Sequence, residues 1–249
     1  MNVWNEEAAV FAEHWAPLAG PARHAIADEL ALRPGMRVLD VGCGSGDFCA
    51  LALARGADAS GIDAAPAMLE IARRRAPEAD LRVGAMDALP WEDGTFDAVT
   101  GFNSLQFADD PVATLREWTR VGGSVAACVW GPRDECEVNV VESALRALAE
   151  APEPPARFCE RLAAVAEDAG LEFRAHETVS VPFEVPDEDR LLLAVLFDAR
   201  AYGAEERAAR DVILAVAAPF RRRDGSYRFE NAFRYVLSSP SRNPTPART

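Results

Sequence analysis

The chain has 249 residues, 49% of them apolar, and a formal net charge of −14 in which every basic residue is an arginine. That length supports one good-sized core, so residues 1–249 are read as a single domain. The acidic balance leaves no basic face for nucleic acid, no apolar run is long enough to span a membrane, and the lack of lysine excludes Schiff-base chemistry and a lysine general base.

Strands and helices alternate from residue 22 onward. Ala22 to Leu32 reads as a helix closed by Pro34-Gly35, and Arg37 to Val41 as a buried strand. A helix from Asp47 stops at Gly56, and Ser60 to Asp63 is a second strand. Pro66 opens a helix through Arg75, the favoured first-turn use of proline. Leu81 to Ala85 is a third strand, Asp93-Gly94 a turn, and Phe96 to Phe102 a fourth strand. Asp110-Pro111 caps a helix running to about Arg120, and Gly122-Gly123 leads into a fifth strand, Ser124 to Trp130. Beyond it, Phe158 to Ala169 is amphipathic and His176 to Val185 alternates like a strand. Leu191 to Phe220 has a helical period broken near Tyr202-Gly203, and Tyr227 to Leu237 reads as a final strand. The helical stretch before that strand is expected to cap the molecule, and Pro240 to Thr249 to be a frayed tail.

Such alternation implies a parallel sheet covered on both faces, whose ligands bind outside the carboxyl ends of the strands. Gly42, Asp63, Met86, Asn103 and Trp130 all fall just past predicted strand ends, so they are expected to line one crevice. The first strand runs into Asp40-Val41-Gly42-Cys43-Gly44-Ser45-Gly46 and then a helix start, whose free N–H groups favour an anionic group. A dinucleotide fold wants its third glycine one residue later, and Asp47 at that helix start would repel a pyrophosphate. An amino-acid nucleoside, which carries an ammonium as well as a carboxylate, tolerates acids such as Asp40.

The glycine turn resembles the D-x-G-x-G-x-G signature of class I S-adenosylmethionine (SAM)-dependent methyltransferases. Gly61-Ile62-Asp63-Ala64-Ala65-Pro66-Ala67-Met68-Leu69, Gly84 to Pro90, and Thr95 to Val99 with Asn103 to Phe107 resemble the family's later motifs in order, over roughly residues 36–130. The nearest group is the small-molecule type that includes quinone-biosynthesis enzymes. Trp118-Thr119-Arg120-Val121-Gly122-Gly123 departs from the usual Leu-Lys-Pro-Gly-Gly ending, at a turn expected to lie away from the cofactor.

The resemblance implies a Rossmann-like, seven-stranded, mostly parallel sheet with helices on both faces. It implies an N-terminal lid (1–21), a SAM-binding core (22–131) and a C-terminal part carrying the cap (132–239). Asp40, Gly42, Cys43, Gly44 and Gly46 would seat the methionine end of SAM. Asp63 would accept the ribose hydroxyls, Ala64 and Met68 flank the adenine, and Asp87 accept from its amino group beside Met86 and Ala88. Asn103 would lie near the sulfonium. The expected reaction moves a methyl group to an O, N or C atom of a small molecule, leaving S-adenosylhomocysteine (SAH), mainly by positioning and desolvation. The alternative is a SAM-binding protein of this fold that does not methylate.

Trp4, Phe11 and Trp15 precede the first helix and could fold over the cofactor, and Trp15, Phe107 and Trp130 are the expected substrate-contacting residues. Of the histidines, His24 and His176 read as structural, and His14, beside the lid, is the candidate general base. Asp97, ahead of a strand, also reads as structural. No acid cluster has metal-ligand spacing, so no metal is expected. Five cysteines without a C-x-x-C pair, and an N-terminus without a secretory pattern, suit a reducing cytoplasm.

Overall fold

The computed structural model describes residues 3–152, 156–201, 203 and 205–240; of the tail expected at 240–249, Pro240 instead ends a strand paired with Leu171, and 241–249 and Tyr202 lie outside the described residues. Among the described residues there are nine strands: β1 (Arg37–Val41), β2 (Asp58–Asp63), β3 (Asp80–Val83), β4 (Phe96–Phe102), β5 (Gly122–Trp130), β6 (Leu171–Ser180), β7 (Phe183–Val185), β8 (Tyr227–Phe229) and β9 (Ala232–Pro240). Seven of them form one sheet in the order β3-β2-β1-β4-β5-β9-β6. The first five pair in parallel, and β9 runs antiparallel to both β5 and β6. This is the expected seven-stranded, mostly parallel α/β sheet.

Both faces of the sheet are covered, so its central strands read as continuous apolar runs instead of alternating with polar residues. Along β5, Val125, Ala127 and Val129 enter one core, with Leu115 and Trp118 of the helix Pro111–Val121. Ala126 and Cys128 enter the other, with Phe48 and Ala52 of the helix Asp47–Ala54. The Asp110 carboxylate caps the former helix, accepting from Val112 N and Ala113 N at 3.0 Å each. Asp97 ties strand starts together, accepting from Arg37 N at 2.7 Å, a structural role as expected.

The strand read over His176–Val185 is in fact two. Pro182 has no N–H for a ladder, so the chain leaves the main sheet there and β7 pairs with β8 in a separate ribbon. The strand read over Tyr227–Leu237 is likewise split at Glu230-Asn231. There the buried Asn231 side chain accepts from Val138 N and donates to Phe229 O. The cap consists of the helices Glu188–Ala201 and Glu206–Ala217, inserted between β6 and β9 as expected. The amphipathic stretch from Phe158 is a 3-10 turn, Phe158–Glu160, followed by the helix Leu162–Asp168. The helix Asn139–Leu148 was not anticipated; its Val141 and Leu145 are buried one turn apart.

Strand order reverses between β1 and β4, the place where parallel sheets open a crevice at their carboxyl ends. The N-terminal segment is a run of short helical turns from Val3 to Ala19. Trp15 anchors it: the indole stacks on Phe183 at 4.9 Å and donates to Ala194 O at 2.8 Å. The segment is thereby held against the cap.

Candidate functional site

The glycine turn is sewn to the end of the neighbouring strand. Gly42 N and Cys43 N both donate to Ile62 O, at 2.8 and 3.0 Å. Gly42 has φ +69°, and a Cβ there would lie 2.4 Å from Ser104 Cβ, so both the backbone and the space require glycine. The Ser104 hydroxyl in turn donates to Val41 O at 2.7 Å, which locks the loops after β1 and β4 together. Gly44 differs: a Cβ there would meet no atom within 4 Å. That is open space beside the backbone, as a closely approaching ligand needs.

Asp63 ends β2 facing this turn. Its two carboxylate oxygens each accept one backbone hydrogen, from Gly44 N and from Ala65 N, both at 2.8 Å. Each oxygen keeps a lone pair for a further donor. Burial raises its pKa, against the pull of these N–H groups. Asp40 is buried within β1 and accepts from the Thr100 hydroxyl at 2.9 Å. Burial pushes its pKa up to about 7, with Thr100 and the nearby Arg23 opposing.

The loop after β3 hangs on the helix Pro111–Val121. The fully buried Trp118 donates to Met86 O at 3.0 Å, and Glu117 accepts from Leu89 N at 2.8 Å. Asn103 sits after β4 with φ +53°, pinned by its N–H to Cys128 O at 2.7 Å. Its side-chain oxygen is buried without a hydrogen-bond partner among the described residues. A buried carbonyl oxygen left unpaired is costly, and a bound molecule could satisfy it.

These loops border a cavity of about 1240 Å³. All five strand-end residues expected there, Gly42, Asp63, Met86, Asn103 and Trp130, are in its wall. Asp40, Cys43, Gly44, Ala64 and Met68 are there too, as are Trp4, Phe11, Trp15 and Phe107. Trp4 meets Phe11 and Phe107 edge-on at 5.2 and 5.6 Å, so the N-terminal segment forms one wall. Gly46, Asp87 and Ala88 are not in the wall, and both Asp87 and Ala88 are exposed. Gly46 has a packing role instead, since a Cβ there would fall 2.9 Å from Ala72 Cβ. His14 is also outside the wall, buried with its Nε2 3.9 Å from Glu13 Oε1.

Asp47 does not point at the cavity as the sequence suggested. It bonds Arg75 and the Ser45 hydroxyl, each at 2.5 Å, and lies 3.8 Å from Arg23. Its charge is answered by arginines, so it gives no argument against a pyrophosphate. The case against a dinucleotide rests on the glycine spacing and on Asp40.

The sequence pattern of a methyltransferase domain matches residues 39–127, the stretch that carries these loops. That stretch is similar to a methyltransferase domain. Two curated relatives are a demethylmenaquinone methyltransferase of Renibacterium salmoninarum and a ubiquinone biosynthesis O-methyltransferase of Xanthomonas campestris pv. campestris. The first is 36% identical over 99 residues, covering 40% of this chain and 42% of the relative. The second is 40% identical over 123 residues, covering 43% and 51%. The match thus spans about half the length of these relatives. In fold, the chain resembles a crystallised candidate methyltransferase of Bacillus halodurans, with a TM-score of 0.60 at 16% identity over 88% of this chain and 99% of that one.

Outside the methyltransferase match, sequence reasoning missed five arginines of the cavity wall: Arg23, Arg133, Arg146, Arg157 and Arg161. Arg23 comes from the helix Gly20–Glu29, donates to Ala16 O at 2.7 Å and packs 5.7 Å from the Phe102 ring centre. Its signal in the sequence was one arginine on a helix face, indistinguishable from a solvated one. The other four are spread from residue 133 to 161, and no spacing announces that they meet. No histidine lies in the wall. Among the described residues, no group of three or more His, Cys, Asp or Glu side chains is arranged to hold a metal ion, and no helix is long and apolar enough to cross a membrane.

Proposed function

We propose that this chain is a SAM-dependent methyltransferase acting on a small molecule. The observation that carries the reading is Asp63: both carboxylate oxygens are held by backbone N–H groups at the mouth of a strand-end cavity, each with a free lone pair. A cis-diol such as a ribose is the natural partner for two such oxygens.

The other residues fit SAM around that point. The open backbone at Gly44 would face the methionine part, and Arg23 would meet its carboxylate. Asp40 would answer its ammonium, which favours the ionised carboxylate. Met68, Ala64 and Met86 would bound the adenine, with Asp87, next to Met86, accepting from the amino group. The unpaired Asn103 oxygen would lie toward the sulfonium. When bound, SAM supplies an electrophilic methyl group. The protein's part is to hold an acceptor in line with it and to exclude water, and orientation of this kind contributes roughly 7–11 kcal/mol in favourable cases. Trp4, Phe11 and Trp15 form the wall that shuts out water. The acceptor is a small molecule, a reading supported by the N-terminal segment and Val195 of the cap in the cavity wall.

Thermal-shift and calorimetric titration against SAM, SAH and NAD tests the cofactor; stabilisation by NAD and not by SAM would overturn the reading. Methyl transfer itself is tested by SAH release in proportion to a methylated product. Conversion of an acceptor without SAH release would establish the non-methylating alternative.

A further inference from the structure

Asp47, at the end of the glycine turn, is the meeting point of two arginines. One of its carboxylate oxygens accepts from Arg75 and from the Ser45 hydroxyl, each at 2.5 Å, and the other lies 3.8 Å from Arg23. Arg75 is the last residue of the helix Pro66–Arg75, and Arg23 comes from the helix Gly20–Glu29. The side chains of Arg23 and Asp47 are sheltered, at 13% and 19% exposure. Burial lowers the Arg23 pKa, and the Asp47 carboxylate is the strongest influence opposing it.

Both arginines also reach the N-terminal segment, at carbonyls that its prolines keep out of the helical ladder. The segment winds as a π-helix over Phe11–Trp15 and a 3-10 turn over Ala16–Ala19. Ala16 N donates to Phe11 O and Pro17 has no N–H, so neither the fourth nor the fifth residue after Ala12 takes its carbonyl. Four residues on the pattern repeats: Gly20 N donates to Pro17 O and Pro21 has no N–H, which leaves Ala16 O in the same position. Arg75 lies 3.5 Å from Ala12 O, and Arg23 donates to Ala16 O at 2.7 Å. One carboxylate thus stands behind two side chains that hold the N-terminal segment. Ala16 O is the only hydrogen-bond acceptor of Arg23 among the described residues, and Arg23 borders the cavity, so its remaining N–H groups are open to an anion. A carboxylate bound there fixes the guanidinium in the place from which it meets Ala16 O. A ligand that favours one arrangement of a segment shifts the segment toward it.

We propose that Asp47 is a positioning residue that makes binding of the nucleoside's carboxylate and closure of the N-terminal segment one event. It holds Arg23 and Arg75 where Arg23 meets both Ala16 O and the ligand. This rests on the reading of the cavity as a SAM site. The consequence is specificity for the whole amino-acid nucleoside: a nucleoside without the carboxylate enters the same site and leaves the segment as it was. An acid in the first turn of a helix also stabilises that helix through its dipole, but that role would affect both kinds of ligand alike.

The test compares SAH with 5′-methylthioadenosine, which keeps the adenosine and the thioether and lacks the amino acid. Calorimetric titration of the full chain gives affinity, and amide hydrogen exchange over residues 3–19 gives closure. In the unaltered chain SAH is expected to slow exchange there about fivefold or more, and methylthioadenosine to change it less than about twofold. D47N is expected to lose about tenfold in SAH affinity, to keep methylthioadenosine affinity within about twofold, and to lose the protection that SAH confers. R75Q, at a partly exposed side chain, is expected to show the same split at about threefold, and carries the test where D47N does not fold. If SAH does not bind the unaltered chain, the underlying reading falls and this proposal with it. If SAH binds and both ligands protect the segment alike, only the coupling is overturned. Substitutions that weaken both ligands equally, or neither, overturn the role of Asp47.

Discussion

The two ends of the cavity are built on opposite principles. The end formed by the loops after β1, β2 and β4 is made of backbone and acids: Gly42, Gly44, Asp40 and Asp63 lie within 24 residues of one another and are locked by short hydrogen bonds. The end formed by residues 133–146 and 156–161, β5 and the cap is made largely of arginines and aromatic rings on separate elements. The first end presents groups that fit one fixed shape, a sugar diol beside an amino acid. The second presents charge and apolar area, which many molecules could use. On the proposed reading, the nucleoside would be met mainly by backbone and the acceptor by side chains, which can change without disturbing the sheet.

The comparison breaks most readily at the glycine turn. Gly42→Ala combines a left-handed φ with a 2.4 Å clash against Ser104, so it should cost about 3 kcal/mol of stability and destroy SAH binding. Chemical denaturation and titration measure both. Asp63→Ala should cost about 100-fold in SAH affinity, since both ribose hydroxyls lose their charged acceptor, and about 1–3 kcal/mol of stability, since Gly44 N and Ala65 N lose theirs. Asp87→Ala, at an exposed position outside the wall, should cost less than about tenfold. Equal losses would show that the ribose does not anchor at Asp63.

Trp15→Ala should act on the other end. Losing the stack on Phe183 and the bond to Ala194 should remove about 2–3 kcal/mol of stability and loosen acceptor binding more than SAH binding. Asp40→Asn has the smallest effect and a distinctive pH signature. The folded chain holds a proton on Asp40 up to about pH 7, whereas the unfolded chain releases it near pH 4. Asp40 therefore lowers stability progressively as pH rises through that window. The asparagine variant should gain about 2–5 °C in Tm by pH 7–8 and little at pH 4, followed by thermal melts across pH. A gain independent of pH would mean that Asp40 titrates alike in the folded and the unfolded chain.

The legible part of the chain was the part governed by local rules. The alternation of apolar runs with glycine and proline breaks gave β1 to β5 and their helices. The glycine turn with Asp63 and Asn103 converged because strand ends in a parallel sheet must converge. Where tertiary context decides, the sequence was less readable. Pro182 splits one predicted strand into two that serve different ladders, and a buried asparagine, Asn231, splits another. The helix Asn139–Leu148 carries an apolar spacing at Val141 and Leu145 that could have found it. The arginines could not have been found, because a guanidinium on a helix or loop looks the same in sequence whether it faces water or a cavity. Asp47 shows the reverse error: its position suggested a role toward a ligand, while Arg75 and Arg23 claim its charge.

The division of the cavity into a nucleoside end and an acceptor end is tested most directly by one titration. SAH is added to the unaltered chain, to D63A and to R157Q in parallel. The division predicts saturable one-to-one binding to the unaltered chain, a loss of about 100-fold in D63A, and a change within about twofold in R157Q. Binding abolished equally by both substitutions, or untouched by D63A, would contradict it.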